Sequence, residues 1–323
     1  DESWTATYDA LPLDIEVMLN HGRDGLQAFL QSRRGFFQQV LVSRIHNILE
    51  VNQVLAADPG LLDGARLIYD AEAITAPRTI LQRELLGESI PDAEKDSLIT
   101  SEISAAGTAD LVITVSESEA AIYHRHGHTR TTVLGHSLTV APGKVSFRDR
   151  EGLLFVGALR DEDSPNVDSL HWFVGQVWPL LRSAEPDIEL HVVGDNEAAS
   201  LAELATDGIH FHGRLEAVDS WYDSTRVFIA PTRFAAGIPH KVHEAAARGL
   251  PCVTTELLAS QLRWTDGNQL LAGDSAREFA DNCLRLYQDE VLWRKVRTAA
   301  LEAVDRECSP DLFRKSLLAV FRE

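Results

Sequence analysis

Residues 234–249, FAAGIPHKVHEAAARG, concentrate the side chains best suited to chemistry. They follow the apolar run VFIAP, so the segment starts at the carboxyl end of a strand. Gly237 permits an unusual backbone turn, Pro239 opens a helix over 239–248, and Lys241 falls in its first turn. A lysine there opposes the helix dipole and is unfavourable by itself; a bound anion reverses that penalty. Glu244, three residues on, shares the helical face. A carboxylate beside a cationic phosphate pocket suits the two hydroxyls of a ribose. The same spacing also fits an ordinary Lys–Glu surface pair.

A second anion-binding candidate lies upstream. Gly157 follows the buried run GLLFV, and the loop 158–165 leads to a helix over 166–181 that Asn166 can cap. The glycine lets backbone approach a ligand, the helix start offers free N–H groups, and Arg160 in the loop can reach the same anion. A plain β–α turn with a solvated arginine explains the pattern equally. His210, His212, His240 and His243 cluster around these loops, without an acidic or cysteine ligand at matching spacing, so no metal site is expected. Ser43-Arg44-Ile45-His46-Asn47 and Asp70-Ala71-Glu72 stand at strand ends in the first half, with Asn47 as a helix cap. Ser116 and Glu119 have the spacing of a capping box.

The elements that must position these groups form an α/β pattern of short apolar strands and amphipathic helices. Strands are expected at 39–43, 66–69, 111–115 and 132–134, with helices near 47–57, 78–87, 95–107 and 117–125. Pro142-Gly143 breaks the pattern. It restarts with strands at 152–156, 188–193, 209–211, 227–230 and 251–255, and helices at 275–288, 291–306 and 310–321. The 323 residues suit two domains: 1–145, 146–308, and a helix over 309–323 that returns toward the first domain. Two parallel-sheet domains imply a cleft lined by the loops at their strands' carboxyl ends.

The whole chain is acidic, with 30 Lys and Arg against 49 Asp and Glu and a net charge of −19. Such a surface disfavours nucleic acid and anionic membranes. Cys252, Cys283 and Cys308 are an odd set without ligand spacing, which points to a reducing compartment. No apolar run is long enough to span a bilayer, and Asp1-Glu2-Ser3-Trp4 has no signal-peptide pattern. The expected location is the cytoplasm.

The order LLFVGAL, SPNVDSLHWFVGQVWPLL, PDIELHVVG, GIHFHGRLEAVDSWYDSTRVFIAPTRFAAGIPHKVHEAAARGLPCVTT resembles the donor domain of retaining family 4 (group 1) glycosyltransferases of the GT-B fold. VLVSRIHN, RLIYDAEA and ADLVITVSESEA followed by VLGHSL look like its acceptor domain. The resemblance implies two Rossmann-like domains and metal-independent transfer of a sugar from a nucleoside-diphosphate sugar to a saccharide, glycan or lipid-linked acceptor, as in polysaccharide biosynthesis. Lys241 matches the lysine that holds the donor diphosphate. Glu244 matches the second glutamate of an E-x7-E motif, which binds ribose. Gly237, with Ile238, Pro239 and His240, matches the phosphate loop, and Gly157, with Asn166, the first donor loop. Gly213, Arg214 and Leu215 match the backbone that meets the nucleobase, and His46 lies near a first-domain histidine.

Three positions depart from the pattern. The first glutamate of E-x7-E falls at Ala236. The arginine that follows the first-loop glycine is Ala158, with Arg160 as its substitute. The family's first strand and glycine-rich loop precede a segment like residues 8–19, where this chain nearly begins; upstream sequence, a larger polypeptide or a reduced acceptor side each account for that. A non-catalytic GT-B-like domain that binds a nucleotide sugar or glycan, and a sugar-nucleotide epimerase, are the rival readings.

Overall fold

The computed structural model describes residues 11, 12, 14–18 and 22–322. Asp1-Glu2-Ser3-Trp4 and parts of the 8–19 segment lie outside the described residues. The first domain carries α1 (Leu26–Ser32), β1 (Gln39–Ser43), α2 (Ile45–Ala57), β2 (Arg66–Asp70), α3 (Ala76–Leu85), α4 (Asp92–Ser104), β3 (Leu111–Thr114), α5 (Glu117–Arg125) and β4 (Thr131–Val133). Its strands pair in parallel in the order β1-β2-β3-β4. β2 and β3 are apolar on both faces because helices cover both sides, as parallel sheets require.

The second domain carries β5 (Leu153–Val156), α6 (Pro165–Trp172), α7 (Trp178–Ala184), β6 (Leu190–Val193), β7 (Ile209–Phe211), α8 (Asp219–Ser224), β8 (Val227–Ala230), α9 (His240–Ala247), β9 (Cys252–Thr254), α10 (Glu256–Leu262), β10 (Leu271–Ala272), α11 (Ala276–Gln288) and α12 (Glu290–Cys308). The six strands run parallel in the order β10-β9-β8-β5-β6-β7. The order reverses between β5 and β8, and such a switch point opens a crevice at the strands' carboxyl ends. One core packs Phe155, Leu170, Phe173 and Phe279 on one face, and another packs Phe228, Val242, Ala246 and Leu258 on the other. Ser275 and Glu278 form a complete capping box on α11, and Asp289 caps α12 through the Val291 and Leu292 amides.

α13 (Pro310–Arg322) leaves the second domain and docks on the first sheet. Val320 packs with Ile68, Leu111 and Ile113, and Arg66 Nη1 donates to the Val320 carbonyl at 2.9 Å. The linker after β4 is stitched to the second domain before β5 begins. Leu138 N donates to Cys308 O at 2.8 Å, and Ala141 N to Ala247 O at 2.9 Å.

Several local expectations change. The helix expected over 166–181 starts at Pro165 and is capped by Ser164, whose hydroxyl accepts from the Val167 amide at 3.3 Å; Asn166 lies inside the first turn and does not cap. That helix also contains a π-turn, Phe173–Val177, before Pro179, whose ring nitrogen has no hydrogen to donate. α2 starts at Ile45 behind Arg44, so Asn47 is not its cap; its amide donates to Ser43 O at 2.9 Å instead. The capping box of α5 is half made. Ser116 Oγ accepts from Glu119 N at 3.2 Å, but the Glu119 carboxylate turns away to the Ile74 amide at 2.9 Å. The strand expected from 188 begins at Leu190, and α1, α8, α10 and β10 were not foreseen.

Candidate functional site

The β5–β8 crevice brings the two donor-side segments together. Gly157 ends β5 and donates to Val193 O at 3.0 Å. Gly194, which ends β6, has φ 147°, and a side chain there would meet Gly157 O at 1.9 Å, so the two loops touch backbone to backbone. Asn166, on the first turn of α6, donates through Nδ2 to Ala158 O at 3.0 Å and accepts from Lys241 Nζ at 2.6 Å. The ammonium also lies 4.9 Å from the centre of the Phe155 ring, a cation–π contact. Lys241 is half-buried, and loss of water pulls its pKa down to about 8. No carboxylate among the described residues is paired with it. A cation at the N-terminus of α9, held by an amide and a ring alone, is poised for an anion.

The other donor-side residues fall around it. The alternative that the spacing also fitted, a Lys241–Glu244 surface pair, does not form. Glu244 is half-buried and stands 3.9 Å from His240 Nδ1, one turn below Lys241. Arg160 is turned onto Asp195 by a short two-nitrogen contact, with Glu197 at 3.8 Å, so it is already neutralised. Gly213, at φ 69°, accepts from Gly194 N at 3.0 Å, while Leu215 packs on the second core and Arg214 is exposed. Pro239 forms the N-cap of α9, and Ile238 packs beneath it.

The loops of the first domain close the site from the other side. Gly237 has φ 71°, and a Cβ there would lie 3.1 Å from Ala73 Cβ and 3.6 Å from Glu72 O. Only glycine adopts this turn without strain while letting the two domains approach so closely. Gly237→Ala is expected to weaken donor binding and to lower stability by about 1–2 kcal/mol, measured by chemical denaturation and calorimetry on the same samples.

His136, which follows Gly135 after β4, lies against His240 at 4.6 Å between ring centres and against His243 at 5.7 Å. Burial and His240 push its pKa down to about 4, so it is neutral near pH 7. His46, the first-domain histidine expected from sequence, is exposed on α2 and makes no hydrogen bond to this cluster among the described residues. The signal for His136 was present in GHSL at the end of an apolar strand. The four histidines that cluster in sequence divide in space. His210 and His212 stack with His191 and Trp221 at the β6–β7 edge, whereas His240 and His243 meet His136.

Two parallel-sheet domains facing a cleft, with a cationic helix N-terminus at the switch point of the second, make up the GT-B fold. Residues 150–289 match the family model of glycosyl transferases group 1. A phosphatidyl-myo-inositol mannosyltransferase of Propionibacterium freudenreichii is 28% identical over 181 residues, which cover 52% of this chain and 45% of that protein. The match thus spans less than half the length of that curated relative.

Among solved structures, S. aureus TarM, crystallised with Fondaparinux, alpha-GlcNAc-glycerol and UDP, aligns with a TM-score of 0.70 at 12% identity, over 93% of this chain and 59% of its own. Sucrose-phosphate synthase from Thermosynechococcus elongatus aligns at 0.70 and 14%, over 97% and 81%. HepE from Anabaena, crystallised with UDP and glucose, aligns at 0.70 and 12%, over 95% and 84%. At these identities the structures establish the shared fold.

Proposed function

We propose that the chain is a retaining glycosyltransferase that moves a sugar from a nucleoside-diphosphate sugar to a saccharide, glycan or lipid-linked acceptor. The observation that carries this reading is the Lys241 ammonium. It is half-buried at the switch point, held by Asn166, and without a carboxylate partner among the described residues. As the glycosidic bond breaks, negative charge grows on the leaving diphosphate. Lys241 and the N-termini of α6 and α9 meet that charge in fixed positions, where preorganised electrostatics help most. Glu244 accepts from the ribose hydroxyls, and the Gly213–Leu215 backbone borders the base. His136 takes the cleft position expected for His46. Arg160 acts mainly by holding Asp195.

The reading needs no metal ion, because the Lys241 ammonium and the backbone N–H groups of the helix starts serve the diphosphate. Domain closure across Gly237 excludes water and limits hydrolysis of the donor. No helix of the described residues is long and apolar enough to cross a membrane. The three free, buried cysteines agree with the cytoplasm as the working compartment.

Incubation with nucleotide sugars and a saccharide panel in EDTA tests the proposal. A glycoside whose anomeric configuration matches the donor supports it; an inverted product, or nucleotide binding without transfer, overturns it. Glu244→Gln is expected to weaken nucleotide binding about tenfold while leaving the fold intact, which titration calorimetry checks.

A further inference from the structure

The two domains border an open pocket of about 460 Å³ directly beside the phosphate loop, lined by Ala236, Gly237 and Ile238 from the second domain. That wall offers no charged side chain. The facing wall comes from the carboxyl end of β2 and contributes Asp70 and Glu72, with His136 and Phe313 completing the ring. Among the described residues no lysine or arginine lines the pocket.

Both carboxylates are aimed by local structure. Asp70 accepts from the Glu72 amide at 3.1 Å and from Ser43 Oγ at 3.4 Å. The Glu72 carboxylate accepts from Arg44 Nε, 3.0 Å from each oxygen. A third carboxylate stands behind the same wall. Glu119 is 7% exposed, its Oε2 has no hydrogen-bond partner, and burial raises its pKa. A hydroxyl-accepting pocket with one aromatic side suits a sugar ring. Arg44 offsets the Glu72 charge, so the carboxylate that disfavours a carboxylated ring is Asp70, which no cation among the described residues pairs.

We propose that Asp70 and Glu72 are specificity-determining residues that bind the hydroxyls of the transferred sugar from the first domain and select a neutral hexose over a uronate. The inference rests on the proposed function, since it takes the donor diphosphate to lie at Lys241. Each carboxylate accepts two hydroxyl hydrogens, the bidentate geometry a vicinal diol offers. The second-domain wall holds the diphosphate, and the first-domain wall reads the sugar, so the sugar is engaged only when the two domains are together.

Thermal stabilisation by UDP, UDP-glucose and UDP-glucuronate, and by GDP, GDP-mannose and GDP-mannuronate, tests this on the wild type, Asp70→Asn and Glu72→Gln. The wild type is expected to bind the neutral conjugate about tenfold more tightly than the uronate, and each amide variant to lose most of that preference. Binding of the bare diphosphate stays unchanged and reports that each variant is folded. If neither of these diphosphates, nor dTDP or ADP, stabilises the wild type, the proposed function fails and this inference falls with it. If a diphosphate binds but the wild type shows no preference, or the variants keep it, the inference alone is overturned.

Discussion

Lys241→Ala is expected to reduce sugar transfer by about 10²–10³-fold, the loss usual when one preorganised donor to a developing anion is removed. Diphosphate binding falls with it. The fold survives, because relief of a desolvated charge offsets the lost contacts with Asn166 and Phe155. The lowered pKa makes the claim sharper. In the empty protein Lys241 titrates at about 8, against an ordinary value of 10.5. Its folded pKa is depressed, so the folded state sheds this proton before the unfolded state does. Burying the charged lysine costs stability at low pH, and that cost disappears as pH rises from about 8 to about 10.5. Stability of the empty wild type should therefore gain over this window relative to Lys241→Ala. Diphosphate affinity runs the other way. It is constant below about pH 8 and falls about tenfold per unit above it, because the anion needs the proton in place. Calorimetric titrations from pH 6.5 to 9.5 on both proteins check the two trends together.

Arg150→Met is expected to be the most damaging substitution for stability, at about 3 kcal/mol. Arg150 is fully buried where the linker enters the second domain. It donates to Val145 O at 3.0 Å, Tyr222 O at 2.8 Å, Thr225 O at 3.0 Å and Asp223 Oδ1 at 2.8 Å, and lies over Trp293 at 5.4 Å. Burial pulls even this guanidinium down to about 10. An apolar replacement of similar length fills the space but leaves three carbonyls without a donor, and an unpaired buried acceptor costs more than the original bond contributed. Asp223 is partly solvated, which limits the loss to the lower end of the range for a broken buried pair. The melting temperature should drop by about 6–10 °C. Arg150→Lys should recover only part of it, because an ammonium cannot serve acceptors on four sides.

Much of this was legible in the chain. The strand–glycine units ending at Gly157 and Gly194, and the proline-opened helix ahead of Gly249, repeat local rules that tertiary packing did not override. Lys241 and Gly237 stood out because a lysine at a helix start and a glycine before it oppose local preference. What the sequence hid was non-local. Lys241 meets Asn166, 75 residues away. Side chains on a helix lean toward its N-terminus, so an early lysine reaches out of the helix start, away from Glu244 one turn below. Arg160 lost its expected role to Asp195, whose place depends on how β5 and β6 pair. His136, Asp70 and Glu72 join the site only because the first domain's strand ends face Gly237 across the cleft. α8, six residues of mostly polar type, is too short to show a period.

The central claim is that a nucleoside diphosphate sits on Lys241 at the β5–β8 switch point. Thermal stabilisation of the wild type by UDP, GDP, dTDP, CDP and ADP, beside Lys241→Ala, tests it most directly. At 100 times its dissociation constant a bound nucleotide adds about 2.7 kcal/mol of stability. The account predicts that gain for at least one of these nucleotides in the wild type and its loss in Lys241→Ala. An equal gain in both proteins, or none in the wild type, would contradict it.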